Sequence, residues 1–334
     1  MRVSYEVMLK EFQRVLLKKG FDANTSLEAA TNFAQTSLDG VYSHGINRFP
    51  RVISYIDKGV INPKAQPTCE MKLGTMERWN GNLALGNTNA MKAMARSCEL
   101  AKEHGVGIVA LRNTNHWMRG GAFGWQAANE GCIGICWTNT MPNMPAYGAK
   151  DRRIGNNPFI MSVPRSNGEH VVIDCALSQF SYGKIEEYKM KDKPLPVPGG
   201  YDSEGNITTN AAEIEKTWRV LPVGFWKGSG LSIVFDMIAA ILSGGNCVAD
   251  IGENIGEEVG LSQILIAIDP TKLSSVQEID LMVDKIIDYV KGSEPIHENG
   301  AIYYPGESSL RTRLDNQKNG IPVVEEIWNS ILSM

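Results

Sequence analysis

The chain lacks the short signatures that mark most nucleotide and metal enzymes. No Gly-x-Gly-x-x-Gly occurs in its 334 residues, so the glycine turn that seats a dinucleotide in a Rossmann fold is missing. There is no Gly-x-x-x-x-Gly-Lys-Ser/Thr, which excludes a P-loop, and no Gly-x-Ser-x-Gly, which argues against a serine hydrolase. The histidines stand at 44, 104, 116, 170 and 297 with no His-x-x-x-His, and no Cys-x-x-Cys occurs, so no metal site is expected. A basic excess is absent too. The net charge is −4 and no Lys/Arg tract stands out, which makes nucleic acid a poor partner. The longest apolar run, "LSIVFDMIAAIL", is interrupted by Asp236 and is too short to span a bilayer, so no membrane partner is expected. "MRVSYEVMLKEF" at the start carries no apolar signal region. A cytoplasmic protein is the expectation, with Cys69, Cys98, Cys132, Cys136, Cys175 and Cys247 as reduced thiols. Cys132 and Cys136 should share one buried side of a strand.

What remains is an ordinary globular composition, 43% hydrophobic and 21% charged, on a chain long enough for two lobes or one elaborate domain. Residues 4–19 read as an amphipathic helix with Met8, Phe12, Val15 and Leu16 on one stripe and Gly20 as the stop. A second helix follows Asp22 or Asn24 and ends near Gly40. Pro50 opens a third, closed by Gly59. After residue 67, helices and strands alternate. "ALGNTNAMKAMARSCELAKEHG" and "GGAFGWQAANEG" are helical, while "VGIVALRN" (106–113), "CIGICWTNT", "NPFIMSVP" and "VVIDCA" read as strands. Residues 190–218 read as a long polar connection. A helix near 226–243, a strand "SQILIAID", a helix near 276–291 and two short C-terminal helices complete the chain.

Four clusters could carry chemistry. The first is Ser43, His44 and Arg48 in "GVYSHGINRFP". Imidazole suits proton transfer near neutrality, and a guanidinium can dock a carboxylate through two hydrogen bonds. A histidine capping the dipole of the second helix explains the same residues equally simply. The second is "LRNTNHWMRGG", where His116 follows a buried strand directly, the usual address of a ligand in an α/β sheet. Packing of His116 on Trp117 is the plain alternative. The third is "VVIDCALSQFSYGK", with Asp174, small residues and a helix starting near Ser178. The fourth is "GFWKGSGLSIVF", where Gly228, Ser229 and Gly230 open a helix after Lys227 and could hold a phosphate.

The stretches "GVYSHGINRFPR", "GIVALRNTNHWMRGGAFGWQAA", "IGICWTNT", "FSYGK" and "GFWKGSGLSIVFDMIA" together resemble the type 2 malate/lactate dehydrogenase family, in register over nearly the whole chain. The resemblance implies an α/β protein with a non-Rossmann mixed sheet that binds NAD(H) or NADP(H), which would explain the missing glycine fingerprint. It implies a helical region, residues 1–70, packing with C-terminal helices at 306–334, around a cofactor-binding domain at 71–305. It further implies a homodimer with active sites near subunit contacts, and reduction of a small keto acid, a diketo sugar acid in the branch most like this chain. By the same resemblance His44 matches the proton donor of that branch. His116 matches the acid/base histidine of ureidoglycolate dehydrogenases, and Thr140 stands where those enzymes carry a serine near the cofactor. Cofactor contacts fall on His170, Val171, Val172, Ile173, Asp174, Cys175 and Ala176, on Trp226 and Lys227, and on Gly306, Glu307 and Ser308. Arg48, with Ser43, would bind the substrate. Malate, lactate or ureidoglycolate chemistry and a non-catalytic binding protein are the rival expectations.

Overall fold

The computed structural model describes residues 1–253, 258–298 and 300–334. Its first helices begin where the sequence supplies caps. Ser4 accepts a hydrogen bond from the Val7 amide at 3.3 Å and opens the helix Tyr5–Lys18. Asp22 accepts from the Thr25 amide at 2.9 Å and opens Ala23–Leu38. A third helix, Phe49–Asp57, starts one residue ahead of the proline expected to open it. Phe12 and Phe49 stack at 4.3 Å between ring centroids, with Phe33 edge-on to Phe49 at 5.2 Å. Trp328 and Ile331 of the last helix, Glu325–Ser333, enter the same core, so the two ends of the chain pack together.

The central element is a seven-stranded mixed sheet. In spatial order its strands are Thr68–Leu73, Met76–Asn80, Val106–Asn115, Val259–Ile268, Ile133–Thr138, Phe159–Val163 and Val171–Cys175. Only Met76–Asn80 and Val106–Asn115 run parallel, joined by the crossover helix Gly86–His104. That helix and Gly121–Asn129 cover one face, where Cys132 and Cys136 are fully buried, as expected. Trp226–Ser243 covers the other face through Phe235, Ile238, Ala239 and Leu242.

Three readings need correction. The hairpin 68–80 is absent from the sequence reading although Cys69, Met71 and Leu73 alternate with Thr68, Glu70 and Lys72; the strand Thr68–Leu73 is exposed along its whole length, so this alternation marks no core face. The connection 190–218 is not structureless. It contains the short strands Gly200–Tyr201 and Ile207–Thr208 and the helix Ala211–Thr217, packed around Ile185, Leu195, Ile214 and Val220. The helix placed near Ser178 begins at Tyr182, capped by Ser181, because Ser178 is held in a bridge to Pro222.

Candidate active site

His44 ends a single 3-10 turn, Tyr42–His44, between the second and third helices. The turn is pinned from below. The Ile46 amide donates to Ser37 Oγ at 2.9 Å, and a Cβ at Gly45 would lie 2.3 Å from that same oxygen. Only glycine lets the turn sit so close to the helix. The Ser43 hydroxyl lies 2.9 Å from His44 Nδ1, which leaves Nε2 as the ring's outward nitrogen.

His116 arrives from the opposite side. The strand runs two residues further than the 106–113 read from the sequence, to Asn115, and the next residue is the histidine. Two non-glycine residues flank it with left-handed backbone, Asn113 (φ 53°) and Met118 (φ 66°). Such conformations cost of order 1–3 kcal/mol and cluster at functional loops. Here the strained turn aims the Met118 amide at His116 Nδ1, 2.9 Å away. An amide can only donate, so Nδ1 is the acceptor and the neutral ring carries its proton on Nε2.

The two rings stack, with centroids 5.8 Å apart and planes 23° off parallel. Arg48, on the turn into the third helix, donates from Nη2 to Glu258 Oε2 at 2.8 Å. The same carboxylate oxygen lies 4.0 Å from His116 Nε2. Topology explains this meeting. Val259 pairs with Asn115 in the antiparallel ladder, so the residue just before one strand faces the residue just after the other. Burial pushes His44 down to about 4, reinforced by the positive charges of Arg48 and Arg119. Burial also holds His116 well below its usual value, with Arg48, His44 and Arg51 adding to it. Both rings are therefore neutral at neutral pH. Behind them Asp39 receives Arg313 through two bonds, at 2.7 and 2.9 Å, and also Arg119, which ties the histidine loops to the C-terminal helix Glu307–Asn319.

The expected cofactor segments converge on the sheet's edge strand. The Val172 amide donates to Pro305 O at 2.9 Å, and a Cβ on Gly306 (φ +99°) would lie 3.1 Å from that amide. Alternation along the ladder turns the main-chain groups of Asp174 toward the same open edge. At the far end the Val223 amide donates to Leu177 O at 2.8 Å, which brings Trp226 and Lys227 alongside Ala176. Trp226 is 66% exposed, and the Lys227 ammonium forms no ion pair among the described residues, resting 6.0 Å from the indole ring. Phe225, with φ 60°, aims the pair outward.

Several predicted contacts have side chains that are already engaged. His170 accepts from the Arg165 amide at 3.0 Å and meets Asn129 Oδ1 at 2.9 Å, so both ring nitrogens are used. Glu307 is buried under Lys291 and Arg311. Thr140 Oγ1 lies within 3.3 Å of Asn156 and Asn157. Asp174 accepts from the Gly121 amide at 2.7 Å, and desolvation raises its carboxyl above the usual range. The phosphate cradle expected at Gly228–Gly230 is not formed. The helix starts earlier, at Trp226, and the Gly228 and Ser229 amides donate to Val223 O and Phe225 O. A separate cavity of about 280 Å³ lies between Asn129, Arg165, His170 and Asp280. Arg165, His170 and Asp280 there bond to protein partners, which leaves the histidine cleft as the candidate site.

Sequence reading missed Glu258 and Asp39. Each is one carboxylate among 37 acidic residues, and only the fold shows what it faces. A profile of the malate/L-lactate dehydrogenase family matches residues 3–332. The chain is 48% identical to 2,3-diketo-L-gulonate reductase of Citrobacter koseri, over 100% of both chains. It is 47% identical to the protein of that name from Escherichia coli, with the same coverage. The fold matches a malate dehydrogenase from Entamoeba histolytica with a TM-score of 0.93, at 26% identity, covering 100% of this chain and 96% of that one. It matches a sulfolactate dehydrogenase from Methanocaldococcus jannaschii with a TM-score of 0.91, at 32% identity, covering 99% and 95%.

Proposed function

The chain belongs to the malate/L-lactate dehydrogenase family, and from that premise we propose that it reduces 2,3-diketo-L-gulonate to 3-keto-L-gulonate with NAD(H). The pairing of His44 with His116 beside Arg48 in one cleft carries this reading. When bound, the nicotinamide supplies a hydride to the carbonyl carbon. The residues on hand fit such a group. The Gly306 approach leaves the strand edge open beside Asp174, and Lys227 offers a cation for a phosphate.

Arg48 docks the substrate carboxylate. His116, locked as the Nε2–H tautomer by Met118, donates a hydrogen bond to the carbonyl oxygen and polarises it while staying neutral. His44 gives up the proton. Its low value applies to the ligand-free protein, where burial first, and then Arg48 and Arg119, oppose protonation. Arg48 already carries Glu258, so the substrate brings a second negative charge into the cleft, and its binding raises the basicity of His44. Reduction then slows as pH rises through the raised value in the complex, because the acid form is the one that works.

The enzyme acts as a homodimer in the cytoplasm. Trp226–Ser243 is the one helix among the described residues long and apolar enough to cross a membrane, yet one face of it packs on the sheet. Its outer stripe, Leu231, Val234, Met237 and Ile241, is 46–71% exposed in the single chain and suits a second copy. Light scattering at micromolar concentration should give twice the chain mass.

The test of function is a panel of 2-keto acids with NADH and NADPH. The highest kcat/KM is expected with 2,3-diketo-L-gulonate and NADH. Faster turnover of oxaloacetate or pyruvate would move the activity to malate or lactate chemistry. No oxidation of either cofactor with any keto acid would leave a binding protein.

A further inference from the structure

We propose that Glu258 is a positioning residue that occupies the substrate's carboxylate place in the empty enzyme and is exchanged for the substrate on binding. The inference rests on the docking role given to Arg48. One carboxylate oxygen, Glu258 Oε2, meets Arg48 at 2.8 Å and stands 4.0 Å from His116 Nε2. A 2-keto acid carries its carboxylate and carbonyl on adjacent carbons. It needs the same guanidinium and the same imidazole at the same time. Glu258 therefore lies between the two groups that the substrate must bridge.

The pair is well enclosed, with Arg48 and Glu258 side chains only 18% and 11% exposed. A lone guanidinium there would lack a counterion, so an internal carboxylate stabilises the empty site. That stabilisation is lost again when the substrate carboxylate takes over the guanidinium. Glu258 thus weakens keto-acid binding and at the same time holds Arg48 in the orientation binding needs. His44 lies outside this exchange. Its ring contacts are Ser43 and His116, and Glu258 bonds Arg48 instead.

The test is Glu258→Gln in the full-length enzyme, with Glu258→Asp as a shorter acid that keeps the charge but draws it away from Arg48. In Glu258→Gln the KM for 2,3-diketo-L-gulonate falls at least about threefold, and kcat changes less than KM. Oxalate, a carboxylate mimic, binds the variant–NADH complex more tightly by the same factor in calorimetry. It also raises the variant's Tm more than the wild type's, because the empty variant has lost its internal anion. Glu258→Asp shifts KM in the same direction by less. An unchanged or raised KM in both variants overturns the exchange. Arg48→Lys, measured alongside, separates the two levels. A raised KM there, with no fall in Glu258→Gln, sinks the exchange alone. An unchanged KM in Arg48→Lys sinks the docking role itself.

Discussion

The two halves of the cleft are built by different means. The half proposed for the chemistry is made of side chains: His44, His116, Arg48 and Glu258 reach one point, and Arg48 and Glu258 lie 210 residues apart in the chain. The half proposed for the cofactor is made mostly of main chain, with the Lys227 side chain beside it. Val172 bonds Pro305, Leu177 bonds Val223, and the side chains of His170 and Glu307 turn inward to hold those strands in place. A side-chain site is lost with one substitution. A main-chain site tolerates side-chain changes and fails when the backbone moves.

The sharpest way to break that contrast is at His44. His44→Asn should lower kcat by roughly 100-fold or more, while NADH titration by fluorescence gives an unchanged Kd. Near-normal turnover would transfer the proton to His116. On the main-chain side the corresponding change is Gly306→Val. It forces a β-branched residue into left-handed backbone against the Val172 amide, 3.1 Å from its Cβ. At about 2 kcal/mol of strain, NADH affinity should fall roughly 30-fold with less effect on kcat. Arg48→Lys replaces a fork by a point charge and should raise the substrate KM about tenfold. Ile173→Val, an exposed side chain on the strand edge, should change NADH affinity less than about twofold. A large effect there would mean that side chains, not main chain, grip the cofactor.

A pH experiment sharpens the comparison further. His44 is lowered from 6.5 to about 4 in the folded protein, so the unfolded chain binds the proton more tightly. The stability this contributes is present above pH 6.5 and is lost as pH falls toward 4. His44→Gln removes that titration, so its Tm should fall less than the wild type's over this interval. The corresponding stability difference across this interval is on the order of a few kcal/mol. Equal acid sensitivity in the two proteins would show that the ring is not desolvated.

The same contrast decides what could be read from the sequence. Local signals were legible. Asp22, one of the two caps read for the second helix, announces it because a cap depends on a few neighbouring residues. His44 and His116 stood out because each breaks an apolar pattern beside glycine or a strand end. The α/β layering followed from the alternation of elements, and the mixed sheet from the family resemblance. Glu258 was not legible, because its meaning depends on a strand register linking residue 259 to residue 115. The Gly228–Gly230 cradle was misread for a similar reason. Its composition suits an anion, but Val223 O and Phe225 O already take the amides. Nor does any local pattern show that the nitrogens of His170 are used internally.

The most direct measurement is a crystal structure of the enzyme with NADH and oxalate. The account predicts oxalate on Arg48, and His44 Nε2 about 2.6–3.2 Å from the oxygen that stands for the ketone, with the nicotinamide ring over the adjacent carbon. A His44 ring turned away from both ligands, in every copy of the chain, would contradict it.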